Sequence, residues 1–140
     1  MARCMVTGGA GFIGSHLCRR LVDEGHDVRV LDNLSSGRRE NLAEIQDVVE
    51  FVEGDLCDEA LLAEVIQGVD CVLHHAAVAS VQTSVERPLF EQEVNAVGTL
   101  RLLEAARRVE VRRVVFAASA AAYGNNPQVP KREEMPPEPE

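Results

Sequence analysis

Tryptophan is missing from this chain, tyrosine and lysine occur once each (Tyr123 and Lys131), and aromatics fill only 4% of its 140 positions. The core must therefore be aliphatic, drawn from a composition that is 46% hydrophobic. No run approaches the roughly eighteen apolar residues of a membrane span, and no basic segment leads into an apolar one. Neither a membrane helix nor a secretory leader is expected. Cations are scarce as well: 14 Lys and Arg face 23 Asp and Glu, for a net charge of −9. A nucleic-acid surface needs clustered positive charge, so that class of partner is excluded. The four cysteines, Cys4, Cys18, Cys57 and Cys71, show no CxxC or His–Cys spacing. They read as reduced thiols of a soluble, cytoplasmic protein, without a disulfide framework or a metal site.

What is present is an alternation. Short apolar runs, "RCMVT" (3–7), "DVRVL" (27–31), "VVEFVEG" (48–54), "DCVLHH" (70–75) and "VRRVVFAAS" (111–119), are separated by segments of helical period. Runs of this length predict strands buried on both faces, and the intervening segments predict crossover helices. "FIGSHLCRRLVDEG" places Ile13, Leu17, Leu21 and Val22 on one face and stops at Gly25. "DEALLAEVIQG" has Asp58 as its cap and Gly68 as its stop. A long helix is predicted from Pro88 to about Arg108, and a loop with a short helix after Asp32. These elements compose an α/β fold, a doubly wound parallel sheet of Rossmann type with strand order 3-2-1-4-5. From Asn125 onward the composition changes. The segment holds five of the six prolines, so residues 1–124 are expected to form the domain and residues 125–140 an extended, exposed tail.

The glycines cluster where the first strand gives way to the first helix, in "TGGAGFIGSH". Bare backbone at such a turn lets N–H groups face a phosphate, with the positive end of the helix dipole behind them. Gly8 permits the turn, Gly11 admits a pyrophosphate, and Gly14 lets the helix pack closely. Asp32 ends the second strand, 18 residues after Gly14, where a carboxylate meets both ribose hydroxyls of an adenosine and repels a 2′-phosphate. The cofactor read from this pattern is NAD rather than NADP.

Together with "VLDNLSSG", "EGDLCD", "LHHAAVASV", "SVERPLFEQEVNAVGTLRLLEAA" and "VVFAASAAAYG", these residues make the whole chain resemble the extended short-chain dehydrogenase/reductases. Within them it is most similar to the NAD-dependent nucleotide-sugar epimerases of the UDP-glucose and UDP-N-acetylglucosamine 4-epimerase group. The resemblance implies cofactor contacts from Phe12 and Ile13 in the glycine turn, and from Asp32 and Asn33 on the adenosine ribose, with Ser36 and Gly37 nearby. It implies Asp55 and Leu56 beside the adenine, and Ala76 and Ala77 along the pyrophosphate and nicotinamide ribose. Asn95 reaches the cofactor from the long helix, and Ser80 meets the sugar nucleotide. By the same resemblance, Ser119 falls where the family carries its catalytic hydroxyl. A UDP-sugar is the implied substrate, and the full-length proteins are expected to be homodimers. His74 and His75, adjacent on a strand and so on opposite faces, are read as packing residues, and Tyr123 as structural.

The chain departs from that family where the chemistry is heaviest. The family uses a tyrosine and a lysine four residues apart on one helix, the lysine lowering the tyrosine pKa. Here Tyr123 and Lys131 are eight apart in a proline-bearing segment. Ala117 and Ala118 stand where many relatives carry hydroxyls, and Ala79 where some 4-epimerases carry lysine. The signature of the 4,6-dehydratases is missing after Ser119, which disfavours dehydration. The chain is therefore read as the cofactor-binding N-terminal half of an epimerase-like protein, lacking the substrate domain. It is expected to be inactive alone, whether as a stand-alone NAD-binding module or as one chain of a split enzyme.

Overall fold

Five parallel strands in the order β3-β2-β1-β4-β5 form the centre of the protein, which a computed structural model describes over residues 1–139. The strands are β1 (Arg3–Thr7), β2 (Asp27–Asp32), β3 (Val49–Glu53), β4 (Cys71–His74) and β5 (Arg113–Phe116). Helices α1 (Phe12–Asp23), α2 (Glu59–Val65), α3 (Val81–Glu86), α4 (Pro88–Gln92) and α5 (Thr99–Arg108) cover them, with a π-helical turn over Glu93–Gly98 joining α4 to α5. Short 3₁₀ turns occupy Arg39–Leu42 and Ala120–Tyr123. This is the doubly wound topology that the alternation of apolar runs predicts. Several strands stop earlier than the apolar runs suggest, because a parallel ladder is only as long as its shorter partner. Thus β4 ends at His74, and β5 pairs over Arg113↔Cys71 to Phe116↔His74 and no further.

Two apolar clusters lie on the two faces of the sheet. Met5, Leu31 and Val72 pack with Leu62, Ile66 and Leu102 on one face. Val6, Val28 and Val30 pack with Cys18, Leu42 and Ile45 on the other. Burying one such aliphatic side chain contributes about 1.5–3 kcal/mol. The stripe that α1 turns inward differs from the one its hydrophobic spacing suggests. Gly14, Ser15 and Cys18 are the buried positions, with Leu21 and Val22 packed at the margin, while Ile13 lies 59% exposed. Small residues win that face because α1 sits close against the glycine turn. As the sequence indicates, Asp58 caps α2, its Oδ1 accepting from the amides of Ala60 and Leu61 at 3.0 Å each.

Helical backbone runs from Pro88 to Arg108, the bounds expected of the long helix, with the π turn set inside it. Ser80 caps the separate short helix α3, and Arg87 then breaks the path before Pro88 opens α4. At the first residue of α5 the Thr99 hydroxyl donates back to the Asn95 carbonyl of the π turn at 2.6 Å. That bond competes with the regular helical ladder, as hydroxyls four residues along a helix often do. Residues 125–139 hold no strand or α-helix and are mostly exposed, but they double back, with the Glu138 amide donating to the Ala122 carbonyl at 2.8 Å.

Candidate functional site

The carboxyl ends of β1, β2, β3 and β4 open onto one groove, at the point where the chain reverses its direction of winding about β1. Gly8 forms its floor with φ of +68°, a left-handed value. A Cβ there would stand 2.7 Å from the Ala76 amide nitrogen, so β1 and β4 approach with no room for a side chain. At Gly14 a Cβ would collide with the Gly8 carbonyl. The turn thus needs hydrogen at both places for reasons of conformation and of space. Helix α1 starts with no side-chain cap and no acidic residue in its first turn. Its leading amides, at Phe12, Ile13 and Gly14, remain available to an anion. The side chains of Phe12 and Ile13 stand 80% and 59% exposed outside the groove, so any contact they make with a ligand is through backbone.

Asp32 stands opposite this turn and is only 7% exposed. Its Oδ2 accepts from the Ala10 amide at 2.9 Å and its Oδ1 from the Leu34 amide at 2.8 Å. Each oxygen keeps a second lone pair, and together they can accept two hydroxyl groups side by side. Gly37 lies against it, a Cβ there falling 3.0 Å from Oδ1. The Asn33 side-chain amide donates to Asp55 Oδ2 at 2.9 Å, while Asp55 Oδ1 accepts from the Cys57 amide at 2.8 Å. Those bonds, the Cys57 amide first, hold the Asp55 carboxyl below its ordinary range. Among the described residues, neither lysine nor arginine lines the groove. An anionic ligand must therefore be met by amides and the α1 dipole, with its hydroxyl-bearing part toward Asp32.

Gly8, Gly11, Asp32, Asn33, Ser36, Gly37, Asp55, Leu56, Ala76 and Ala77 are brought together as lining. Other predicted residues lie elsewhere. Asn95 is outside the lining and clasps Val78 instead, its Oδ1 accepting from the Val78 amide at 2.8 Å and its Nδ2 donating to the Val78 carbonyl at 2.9 Å. Ser80 Oγ accepts from the Thr83 amide and Ser119 Oγ from the Ala121 amide, each at 3.1 Å, so both hydroxyls serve as caps. Tyr123 sits in the 3₁₀ turn that Ser119 opens, and Lys131 donates to the Asn126 carbonyl. No group of three metal-ligating side chains occurs among the described residues, and no described helix is long and apolar enough to cross a membrane.

Sequence reasoning misses part of the wall. Thr7, His75, Val78, Phe90 and Val94 also line the groove. Behind it, His74 is 2% exposed and hydrogen-bonded through both ring nitrogens, to Thr7 Oγ1 at 2.6 Å and Thr99 Oγ1 at 2.9 Å. Burial lowers the His74 pKa to about 4, and burial likewise pushes that of His75 down. A polar residue between apolar strand positions is the signal that could have found His74; its partners lie too far along the chain to be read.

Residues 4–140 match the NAD dependent epimerase/dehydratase family. A UDP-glucose 4-epimerase of Mycolicibacterium smegmatis is 51% identical over 140 residues, covering 96% of this chain and 44% of that protein. One of Klebsiella pneumoniae is 38% identical over 134 residues, covering 91% of this chain and 96% of that protein. Among solved structures, the UDP-glucose-4-epimerase of Stenotrophomonas maltophila with bound NAD and formylated UDP-arabinopyranose superposes with a TM-score of 0.90 at 35% identity. The match covers 98% of this chain and 43% of that one. The chain thus spans less than half the length of the first and third of these.

Proposed function

This chain belongs to the NAD dependent epimerase/dehydratase family, and from that premise we propose that its groove binds NAD as the cofactor half of a UDP-sugar 4-epimerase-like protein. The observation that carries the reading is Asp32, held by two amides beneath an uncapped helix N-terminus. The donor set fits the dinucleotide: paired acceptors for a ribose diol, a glycine floor with no space for a Cβ, and amides for a pyrophosphate. Bound there, NAD supplies reversible hydride acceptance. The chain's own residues bind and orient: Asp32 and Asn33 take the adenosine ribose, Asp55 and Leu56 flank the adenine, and Ala76 and Ala77 run along the nicotinamide ribose. Ser119 is the hydroxyl assigned to proton movement at the sugar, and Ser80 a contact to the sugar nucleotide. Residues 1–124 act as the binding domain, with residues 125–140 leading on from it.

Within residues 1–140 Tyr123 and Lys131 are eight apart, so these residues alone form no Tyr–Lys pair and the chain binds without turning over. That spacing equally suits a stand-alone NAD-binding module or one chain of a split enzyme. The four free cysteines fit a reducing, cytoplasmic setting.

Calorimetric titration tests the reading. NAD is expected to bind more tightly than NADP, since the Asp32 carboxylate repels a 2′-phosphate, and Asp32→Ala is expected to narrow the difference. Equal affinities in the parent chain would refute the assignment of Asp32.

A further inference from the structure

A line of hydrogen bonds runs behind the groove, and every proton in it can be placed. The Thr99 hydroxyl spends its proton on the Asn95 carbonyl, 2.6 Å away. Toward His74 Nε2, at 2.9 Å, the same oxygen can only accept, so Nε2 carries the ring proton. A neutral imidazole then offers a lone pair at Nδ1. Thr7 Oγ1, at 2.6 Å, donates to it and is left free to accept the Ala76 amide at 3.2 Å. No donor or acceptor in the line is orphaned, at a site that is 2% exposed for His74 and fully buried for Thr7. The other tautomer or an imidazolium would turn Nδ1–H against Thr7 and leave the Thr7 hydroxyl proton without an acceptor.

Both ends of the line reach the groove. One end fixes the Ala76 amide, directly above Gly8. The other passes through Asn95, whose side-chain amide grips Val78 at both its N–H and its C=O. Ala76 and Val78 bracket Ala77 and form the β4 wall.

We propose that His74 is a positioning residue: a neutral imidazole locked as the Nε2–H tautomer, which sets the Ala76 and Val78 backbone in register across the groove. Its bearing on affinity rests on the groove being a dinucleotide site; the tautomer does not.

The test pairs ring-nitrogen NMR of the parent chain with NAD titration of Thr99 variants. The parent is expected to show one His74 species, Nε2–H, across pH 6 to 8. Thr99→Val, which removes the acceptor for Nε2–H and the anchor on Asn95, is expected to weaken NAD by about tenfold, the scale of one lost buried hydrogen bond. Thr99→Ser, which keeps the hydroxyl, is expected to bind within about twofold of the parent on the same scale. A Nδ1–H tautomer, an exchanging mixture or an imidazolium at neutral pH would overturn the proposal. So would parental affinity in a folded Thr99→Val chain, or failure of Thr99→Ser to rescue. Absence of NAD binding by the parent would overturn the dinucleotide reading, and the tautomer would still decide the relay.

Discussion

Acidification is expected to unfold this protein partly through one side chain. Burial lowers the His74 pKa from its ordinary 6.5 to about 4, so the unfolded chain takes up the proton first. Stability is therefore full above about pH 6.5 and falls as pH drops toward 4, where the folded state begins to bind the proton too. With those two values the loss is about 1 kcal/mol at pH 5.5 and about 3 kcal/mol at pH 4. Such a loss is a large fraction of a typical domain's stability of about 5–15 kcal/mol. Asp55 moves the other way: its carboxyl is held below 3.8 in the folded state, so its stabilisation is present above that value and is lost below it. It leaves the window above pH 5 untouched. His75, also lowered by burial, adds to the effect with the same sign, so the measurement must be a difference. Urea unfolding of the parent and of His74→Gln at pH 7.5, 6.5 and 5.5 provides it. The parent is expected to lose about 1 kcal/mol more than the variant across that range. Parallel pH dependences would refute the argument. If the variant does not fold, proton titration of His74 in the parent by NMR decides instead, and a midpoint near 6.5 would have the same force.

Gly8→Ala is expected to destabilise the chain by about 1–2 kcal/mol for its left-handed φ and about 1–3 kcal/mol for the contact with Ala76, and to abolish NAD binding; chemical unfolding and calorimetry check it. The isolated chain is expected to show no turnover of UDP-galactose in a coupled assay, and sustained turnover without a partner protein would contradict the missing Tyr–Lys pair. In a protein that joins this chain to a Tyr-x-x-x-Lys helix and the domain beyond it, Ser119→Ala is expected to lower kcat by about 10²–10⁴-fold with little change in KM; an intact kcat would leave Ser119 as the cap that its bond to the Ala121 amide makes it.

The sheet and its strand order are legible in the sequence because each buried parallel strand is a short apolar run bounded by turn residues, a signal carried locally. The glycine turn and Asp32 are legible for the same reason, since their spacing is fixed by one βαβ unit. What escapes is whatever depends on remote neighbours. His74 meets Thr7 across 67 residues and Thr99 across 25, and the sequence records neither distance. The π turn of Glu93–Gly98 is hidden because the same residues suit a regular helix; the Thr99 bond to the Asn95 carbonyl and the grip of Asn95 on Val78 decide otherwise. Ile13 follows the helical period and still faces outward, because the α1 face against the sheet is set by how closely Gly14 lets it approach.

The sheet's two edge strands have one neighbour each but unequal cover, and amide hydrogen exchange will register the difference. β3 pairs with β2 alone but is half-buried at Val49, Phe51 and Val52, whereas β5 pairs with β4 alone and carries Val115 and Phe116 at 45% and 58% exposure. Opening that side breaks one four-residue ladder and uncovers surface that is already half wet. Exchange should therefore be slow through β1 and β2 and grow faster toward β5. The Asp32 wall of the groove stands on the slow-exchanging side, while the Ala76–Val78 wall hangs from the strand next to the fast one. A ligand that spans both will slow exchange chiefly at β4 and β5, where the free protein opens most easily.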